Sequence, residues 1–374
     1  MQPAGREVLQ SALDEFMTEN PEIICEQLYF ETEELRSNFQ ISVLGGSGPD
    51  LVYGPADQVG PFVTMELIHP LDSFYNDDFL AVFVEASKVR YNGNLYLLGD
   101  RVGNHLTLVY NRDILENPPQ NTDELLAMSN QYSVDLDGDG MIDQFTLVFN
   151  YIEPFFAIPF LGGFGGWVMN DENQPILNTP EMTNGMAFLA KLKTENVIPR
   201  ECDYDIANSL FKEGKAAMII NGSWSWGGYL DAEMNIGLAK IPKVSQTGKW
   251  PTPMVSALGY SININSTEKR LENSIKLLEF LLQSEIQLRF TEKLNTIPSH
   301  KTALKNPQFQ TGMLKASADQ MSVGKPMPVV PEMRAIWDAM RPHYQAVLNG
   351  SLTPKEATEK MQTDAEKKIT EMYE

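Results

Sequence analysis

The run Ala216-Ala-Met-Ile-Ile220 most constrains what this chain can fold into. Five apolar residues without a polar interruption have the composition of a strand covered on both faces, and such strands belong to sheets flanked by helices. A polar helix precedes the run and ends at Gly214. Asn221-Gly222 breaks it, and Trp224 and Trp226 follow at once. The carboxyl end of a buried strand is where open α/β sheets bind ligands. An indole there is a flat apolar plate with one polar handle, suited to stacking on a sugar ring. Large aromatics also fill cores, so spacing alone leaves both tryptophans open to either use.

Helix signals alternate with short apolar strands along the rest of the chain, the pattern of α/β units. A helix over 7–19 leads into Ile23-Ile24-Cys25-Glu26. A second, over about 33–44, leads through Gly45-Gly46-Ser47-Gly48-Pro49 into a strand at 50–53. Tyr91-Asn-Gly-Asn94 is a hairpin-type turn before a strand at 95–98, and 106–110 alternates in strand fashion. Thr122-Asp-Glu-Leu starts an N-capped helix. Helices are expected over 181–193 and 268–283, the latter with Leu271, Ile275, Leu278 and Leu282 as a core-facing stripe. A charged helix closes the chain from about 354 to 373.

At 374 residues two to three domains are expected. No apolar run approaches the ~20 residues of a membrane span. Acidic residues outnumber basic ones 50 to 29, a net charge of −21. That argues against a nucleic-acid surface and against direct adsorption to anionic lipid, both of which need basic patches. Cys25 and Cys202 form neither a metal spacing nor a CxxC pair, and Cys25 reads as a buried small hydrophobe.

The segment 214–226 also resembles the G-x-x-A-M-x-x-N-G-x-W signature of extracellular solute-binding proteins that serve ABC importers, of the maltodextrin-binding type. Further matches follow in the same order: Gly48-Pro-Asp-Leu-Val52, Val89-Arg-Tyr-Asn-Gly93, Leu108-Val-Tyr-Asn-Arg-Asp-Ile-Leu115, Asn117-Pro-Pro119, Glu153-Pro-Phe-Phe156 and Val330-Pro-Glu-Met-Arg-Ala-Ile-Trp337. The resemblance implies a two-lobed α/β fold of the periplasmic-binding-protein kind, each lobe a sheet flanked by helices, joined by a hinge. The first lobe would hold 1–105 and 260–312, the second 106–259 and 313–374, with crossings near 104–106, 258–260 and 310–313. Such proteins open on a strand and an export or lipoprotein signal. The sequence starts at what reads as the first helix, so one sheet is expected to lack a member.

A neutral-sugar site needs flat aromatic faces and polar groups for hydroxyls. Carried over motif by motif, the resemblance implies Asp57, Asn104 and Tyr260 from the first lobe, and Glu153, Phe155, Trp224 and Trp337 from the second. Closure of the hinge would bring the two sets around one ligand. The chain also departs from the maltodextrin binders. Gly54 stands where they carry Trp, Asn104 where they carry Glu, Phe155 where they carry Tyr, and Gln58 where they carry Arg. Asp100, Arg101 and His105 add polar groups nearby that would favour a different or charged ligand. Phe155 in a Phe-Phe pair and His105 can equally be structural. The implied protein captures a solute, an oligosaccharide, and delivers it to an ABC permease from the periplasm or cell exterior, with a lipid anchor possible in the precursor.

Asp135-Leu-Asp137-Gly-Asp139-Gly140-Met141-Ile-Asp143 places oxygen ligands at alternate positions with Gly at the sixth, a calcium-loop pattern. Met141 would offer its carbonyl. Thr146 replaces the bidentate Glu at position twelve, so Asp143 would close a shorter loop. Carboxylates this close repel without a cation, which points to structural Ca2+; a solvated Asp/Gly turn is the other reading. No cofactor is needed for function. G-x-S-x-G, H-E-x-x-H, Walker and G-x-G-x-x-G motifs are all absent, and the four His show no ligand spacing. A binding protein rather than an enzyme is therefore expected. Asp57 and Glu153 as a glycosidase carboxylate pair and a sugar receptor without transport are the rival readings.

Overall fold

The computed structural model describes residues 3–374, without the side chains of Pro3 and Glu33. Met1 and Gln2, read as the opening of the first helix, lie outside the described residues. The chain divides into two compact units. Unit 1 takes the described part of Met1–Asn104, with Val255–Ala318 and Pro326–Pro331; unit 2 takes His105–Met254, Asp319–Lys325 and Glu332–Glu374. The anticipated division differs at its boundaries, and His105 falls with unit 2. Residues 255–259 and 313–318 fall with unit 1, and a short return at 326–331 joins them. That return is fixed by close packing, since a Cβ on Gly60 would lie 2.1 Å from the Val329 carbonyl oxygen.

Unit 1 is built on a five-stranded sheet. Leu51–Pro55 pairs with Leu258–Ile262, which pairs with Asn94–Val102. Asn94–Val102 also forms a hairpin with Lys88–Tyr91 and pairs with Ile297–Pro298. Every pairing is antiparallel. The hairpin turn at Asn92-Gly93 has both residues at positive φ, 48° and 86°, as a two-residue turn matching strand twist requires. Phe16, Ile23, Leu95, Leu98, Ile262 and Phe290 share one core. The helix Glu268–Leu281 lays Leu278 into it, and Leu282 follows, with Leu271 and Ile275 partly buried against it. The strand expected at 23–26 does not form. Side chains from Ile23 to Leu28 alternate between core and solvent, but no ladder bonds hold the segment among the described residues.

Unit 2 carries a four-stranded sheet in the order Phe145–Val148, Ala216–Gly222, Leu106–Asn111, Ile236–Ala239. The first pair is parallel and the other two are antiparallel. All seven residues of Ala216–Gly222 are buried; the apolar run accounts for the first five, and Asn221 and Gly222, expected to break the strand, extend it instead. The helix Tyr204–Lys212 packs on the strands Ala216–Gly222 and Phe145–Val148, and the helices Ile158–Phe164, Glu332–Leu348 and Pro354–Tyr373 gather on Pro180–Thr194. Their ends are specified locally. Thr353 and Glu356 form a reciprocal capping box, and Asp203 accepts a hydrogen bond from Ile206 N at 2.8 Å. Among the described residues no helix is long and apolar enough to cross a membrane.

Candidate functional site

The helix Ser223–Leu230 starts directly after the buried strand, at its carboxyl end. Successive residues of an α-helix are turned by about 100°, so positions two apart face nearly opposite ways. This decides between the two tryptophans. Trp226 is 0% exposed and belongs to the core, as does Tyr229 one turn on. Trp224 is only half-buried and presents its indole. The same division holds in the Phe-Phe pair on the turn Pro154–Phe156: Phe156 is buried and Phe155 half-buried.

Phe155 is the centre of an aromatic cluster. Its ring centroid lies 6.4 Å from that of Trp224, at 43°, and 6.5 Å from that of Trp337, at 71°. Trp337 comes from the first turns of Glu332–Leu348. Arg341 is one helical turn later, on the same face. Its Nη2 donates to Glu153 Oε2 at 3.0 Å, and its Nη1 to Asp338 Oδ1 at 3.4 Å. The Glu153 hydrogen bond is the main reason the Arg341 guanidinium is held above its usual range, against the effect of burial. Gln345 Nε2, a further turn on, donates to the Ile152 carbonyl at 3.1 Å. These bonds tie the helix to the 152–156 turn, so Glu153, Phe155, Trp224 and Trp337 are brought together within unit 2. Three tilted aromatic faces with an Arg–carboxylate pair beside them can stack on the C–H faces of sugar rings and bond their hydroxyls.

The remaining expected residues belong to unit 1. Asp57 sits on the single turn Ala56–Gln58 after Leu51–Pro55, where its Oδ2 meets Arg36 Nη2 at 3.3 Å. Asn104 follows Asn94–Val102 and is half-buried, its backbone N–H donating to Ser256 O at 3.0 Å. Gln58 is 2% exposed and folds back over Gly54. A Cβ there would lie 2.3 Å from Gln58 Oε1, so the Gly and Gln that depart from the maltodextrin pattern are packing partners of each other.

Two expectations are corrected. Tyr260 is 3% exposed, packed against Tyr53 with centroids 4.8 Å apart. It lies mid-strand, opposite both Tyr53 and Leu98, and its alternation turns it into the core; burial pushes its phenol well up. Asp100 and Arg101 are not available to a charged ligand either. They are 2% and 6% exposed and bonded to each other, Nη2 to Oδ2 at 2.7 Å and Nε to Oδ1 at 3.0 Å. Tyr53 donates to Asp100 Oδ1 at 3.1 Å, and the guanidinium lies 4.5 Å from the Phe290 ring centroid. Burial works against the Arg101 charge, but Asp100 outweighs it and holds the group protonated. His105, at 1% exposed, is also interior.

The Asp loop forms an exposed turn closed at its base, where Val134 and Gln144 exchange backbone bonds of 3.0 and 3.1 Å. Gly138 and Gly140 take positive φ, 79° and 87°. Asp135 accepts from Gly138 N and Gly140 N at 2.7 and 2.8 Å, with the Gly140 bond the larger cause of a lowered pKa. Carboxylate oxygens of Asp135, Asp137 and Asp143 lie within 4.8 Å of one another. Asp139 is not in that group; its Oδ1 accepts from Met141 N at 2.7 Å.

Arg341, which holds Glu153, was not singled out from sequence, although it carried a usable signal, the four-residue spacing from Trp337.

The sequence profile of the bacterial extracellular solute-binding protein family matches residues 11–317. A maltotriose-binding protein of Pyrococcus abyssi is 26% identical over 360 residues, covering 93% of this chain and 76% of the relative. A maltooligosaccharide ABC transporter solute-binding lipoprotein of Streptococcus pneumoniae is 26% identical over 329 residues, covering 83% and 74%. Among solved structures, the maltose/maltodextrin-binding domain MalE from Bdellovibrio bacteriovorus, bound to maltotriose, is 48% identical. It superposes with a TM-score of 0.93 over 99% of this chain and 98% of that one.

Proposed function

Because the chain belongs to the bacterial extracellular solute-binding protein family, we propose that it binds maltooligosaccharides and delivers them to the permease of an ABC importer. The observation that carries this reading is the 48% identity, across nearly the whole chain, to a domain bound to maltotriose. The aromatic cluster of Phe155, Trp224 and Trp337 supports it, since stacking faces beside an Arg–carboxylate pair suit a neutral sugar. With Asp100, Arg101 and His105 buried, nothing at those positions favours a charged ligand over a neutral one. Asp57 and Asn104 are proposed as further hydroxyl partners. Closure of the hinge on binding is part of the same proposal; it requires the sugar to favour the closed state over the open one. The site of action is the periplasm or cell exterior, in keeping with the extracellular family.

Calorimetry with maltotriose should give saturable binding at one site, and X-ray scattering should show a smaller radius of gyration with the sugar. No heat and no thermal shift with maltotriose or maltotetraose would overturn the reading. Prolonged incubation should leave the oligosaccharide chain lengths unchanged. Release of shorter sugars, abolished by Glu153→Gln, would establish the rival hydrolase.

A structural calcium ion in the Asp loop is a separate proposal, supported by the convergence of Asp135, Asp137 and Asp143 with the Met141 carbonyl as a further donor. Calcium should raise the melting temperature and a chelator lower it, because a ligand that binds only the folded chain stabilises it. An unchanged melting temperature at millimolar calcium leaves a turn held by its own backbone bonds.

A further inference from the structure

The indole of Trp224 rests on a device that sequence spacing does not reveal. A Cβ on Gly222 would lie 2.1, 2.2 and 2.5 Å from Trp224 Cζ3, Cη2 and Cε3. The six-membered ring of the indole therefore lies directly against the Gly222 backbone, in space any other residue would fill. The Gly222 backbone itself is ordinary, with φ −102° and ψ 175°, so the glycine is required by the ring and not by the chain conformation.

Beneath this contact lies a closed set of side-chain hydrogen bonds. Asn221, 1% exposed, accepts from Gly222 N through Oδ1 at 2.9 Å. Its Nδ2 donates to the Tyr229 hydroxyl at 3.0 Å and to Asn208 Oδ1 at 3.3 Å. Tyr229 in turn donates to Asn208 Oδ1 at 2.6 Å. Asn208 Nδ2 donates to the Tyr204 carbonyl at 2.6 Å. Ser225 Oγ donates to the Gly222 carbonyl at 2.8 Å, fixing the first turn that carries the indole. The Tyr204 phenol is pushed up by burial, partly offset by polar contacts from the Asn221, Trp224 and Asn208 side chains. The network thus links the strand end, the helix Tyr204–Lys212 and the helix Ser223–Leu230, and the indole sits where the three meet.

We propose that Asn221 and Tyr229 are positioning residues, which never meet the sugar but set the plane of the Trp224 indole and through it the affinity for the ligand. Stacking depends on the angle and height of the plate, so a ring free to tilt loses contact with a sugar that a fixed ring keeps. The inference rests on the sugar-binding reading above.

Tyr229→Phe is the test. It keeps the ring and its packing on Phe211, 5.0 Å between centroids, and removes only the hydroxyl, so that Asn208 Oδ1 and Asn221 Nδ2 keep only their 3.3 Å bond to each other. Maltotriose affinity should fall about tenfold in the native background, as the indole loses its fixed plane. In a Trp224→Ala background the same change should alter affinity by less than about twofold, since the group it acts through is gone. Gly222→Ala should show the same dependence on Trp224. Equal loss in both backgrounds, or no loss in the native one, would overturn the proposal. A second readout is independent of the sugar. The near-ultraviolet circular dichroism that Trp224 contributes, taken as the difference from Trp224→Ala, should change with Tyr229→Phe. If the native protein fails to bind maltotriose, the functional reading falls, and an unchanged dichroism difference then sinks the positioning role as well.

Discussion

Asp100→Ala should destabilise the protein by ~3–5 kcal/mol, the cost of leaving one member of a buried ion pair without its partner. The residue replaced is small and polar, so lost packing alone would not have that effect. What remains is the Arg101 guanidinium, enclosed between the Tyr53 and Phe290 rings at 5.5 and 4.5 Å, with both of its bonds to Asp100 gone. The Tyr53 hydroxyl loses its acceptor in the same step. Urea unfolding would measure the change. Arg101→Met with Asp100→Leu should recover much of the loss, because an apolar pair of similar volume avoids the desolvation cost of both charges. If Asp100→Ala instead left stability intact and weakened sugar binding, the pair would be a ligand group after all.

Trp224→Ala combined with Trp337→Ala should reduce maltotriose affinity by ~3–5 kcal/mol, close to loss of detectable binding. Each indole removed costs roughly 1–3 kcal/mol of buried aromatic contact. The two losses need not add, because both rings lie against Phe155 and residues in contact couple. Each single variant should still fold, since both tryptophans are only half-buried. Trp226→Ala makes the contrast: its indole is fully enclosed, so its removal should cost ~3–5 kcal/mol of stability whatever it does to binding. Calorimetry of these four variants beside their unfolding curves separates the roles. Retained affinity in the double variant would remove both indoles from the site.

The motifs with a strong local cause were legible. The five buried residues Ala216 to Ile220 follow from an apolar run, the Asn92-Gly93 turn from its residue types, and the Glu268–Leu281 stripe from its period. Of the residues carried over by motif, Glu153, Phe155, Trp224 and Trp337 lie together in one unit. Tyr260, Asp100, Arg101 and His105 misled because a polar or aromatic residue beside a motif looks the same whether its side chain points inward or outward. Arg341 went unnoticed because its partner, Glu153, is distant in sequence.

By itself the sequence determined an α/β chain, a fully covered strand ending in Asn-Gly, and aromatic residues placed just beyond it. Tertiary structure alone decided that Trp224 stays part-exposed while Trp226 fills the core, that Phe155 and not Phe156 meets the two tryptophans, and that Asp100 and Arg101 neutralise each other. The physical reason is that residue type and spacing act along the chain, whereas orientation and burial are set by neighbours from remote segments. Only the assembled packing of strand, turn and helix shows which side of each residue those neighbours cover.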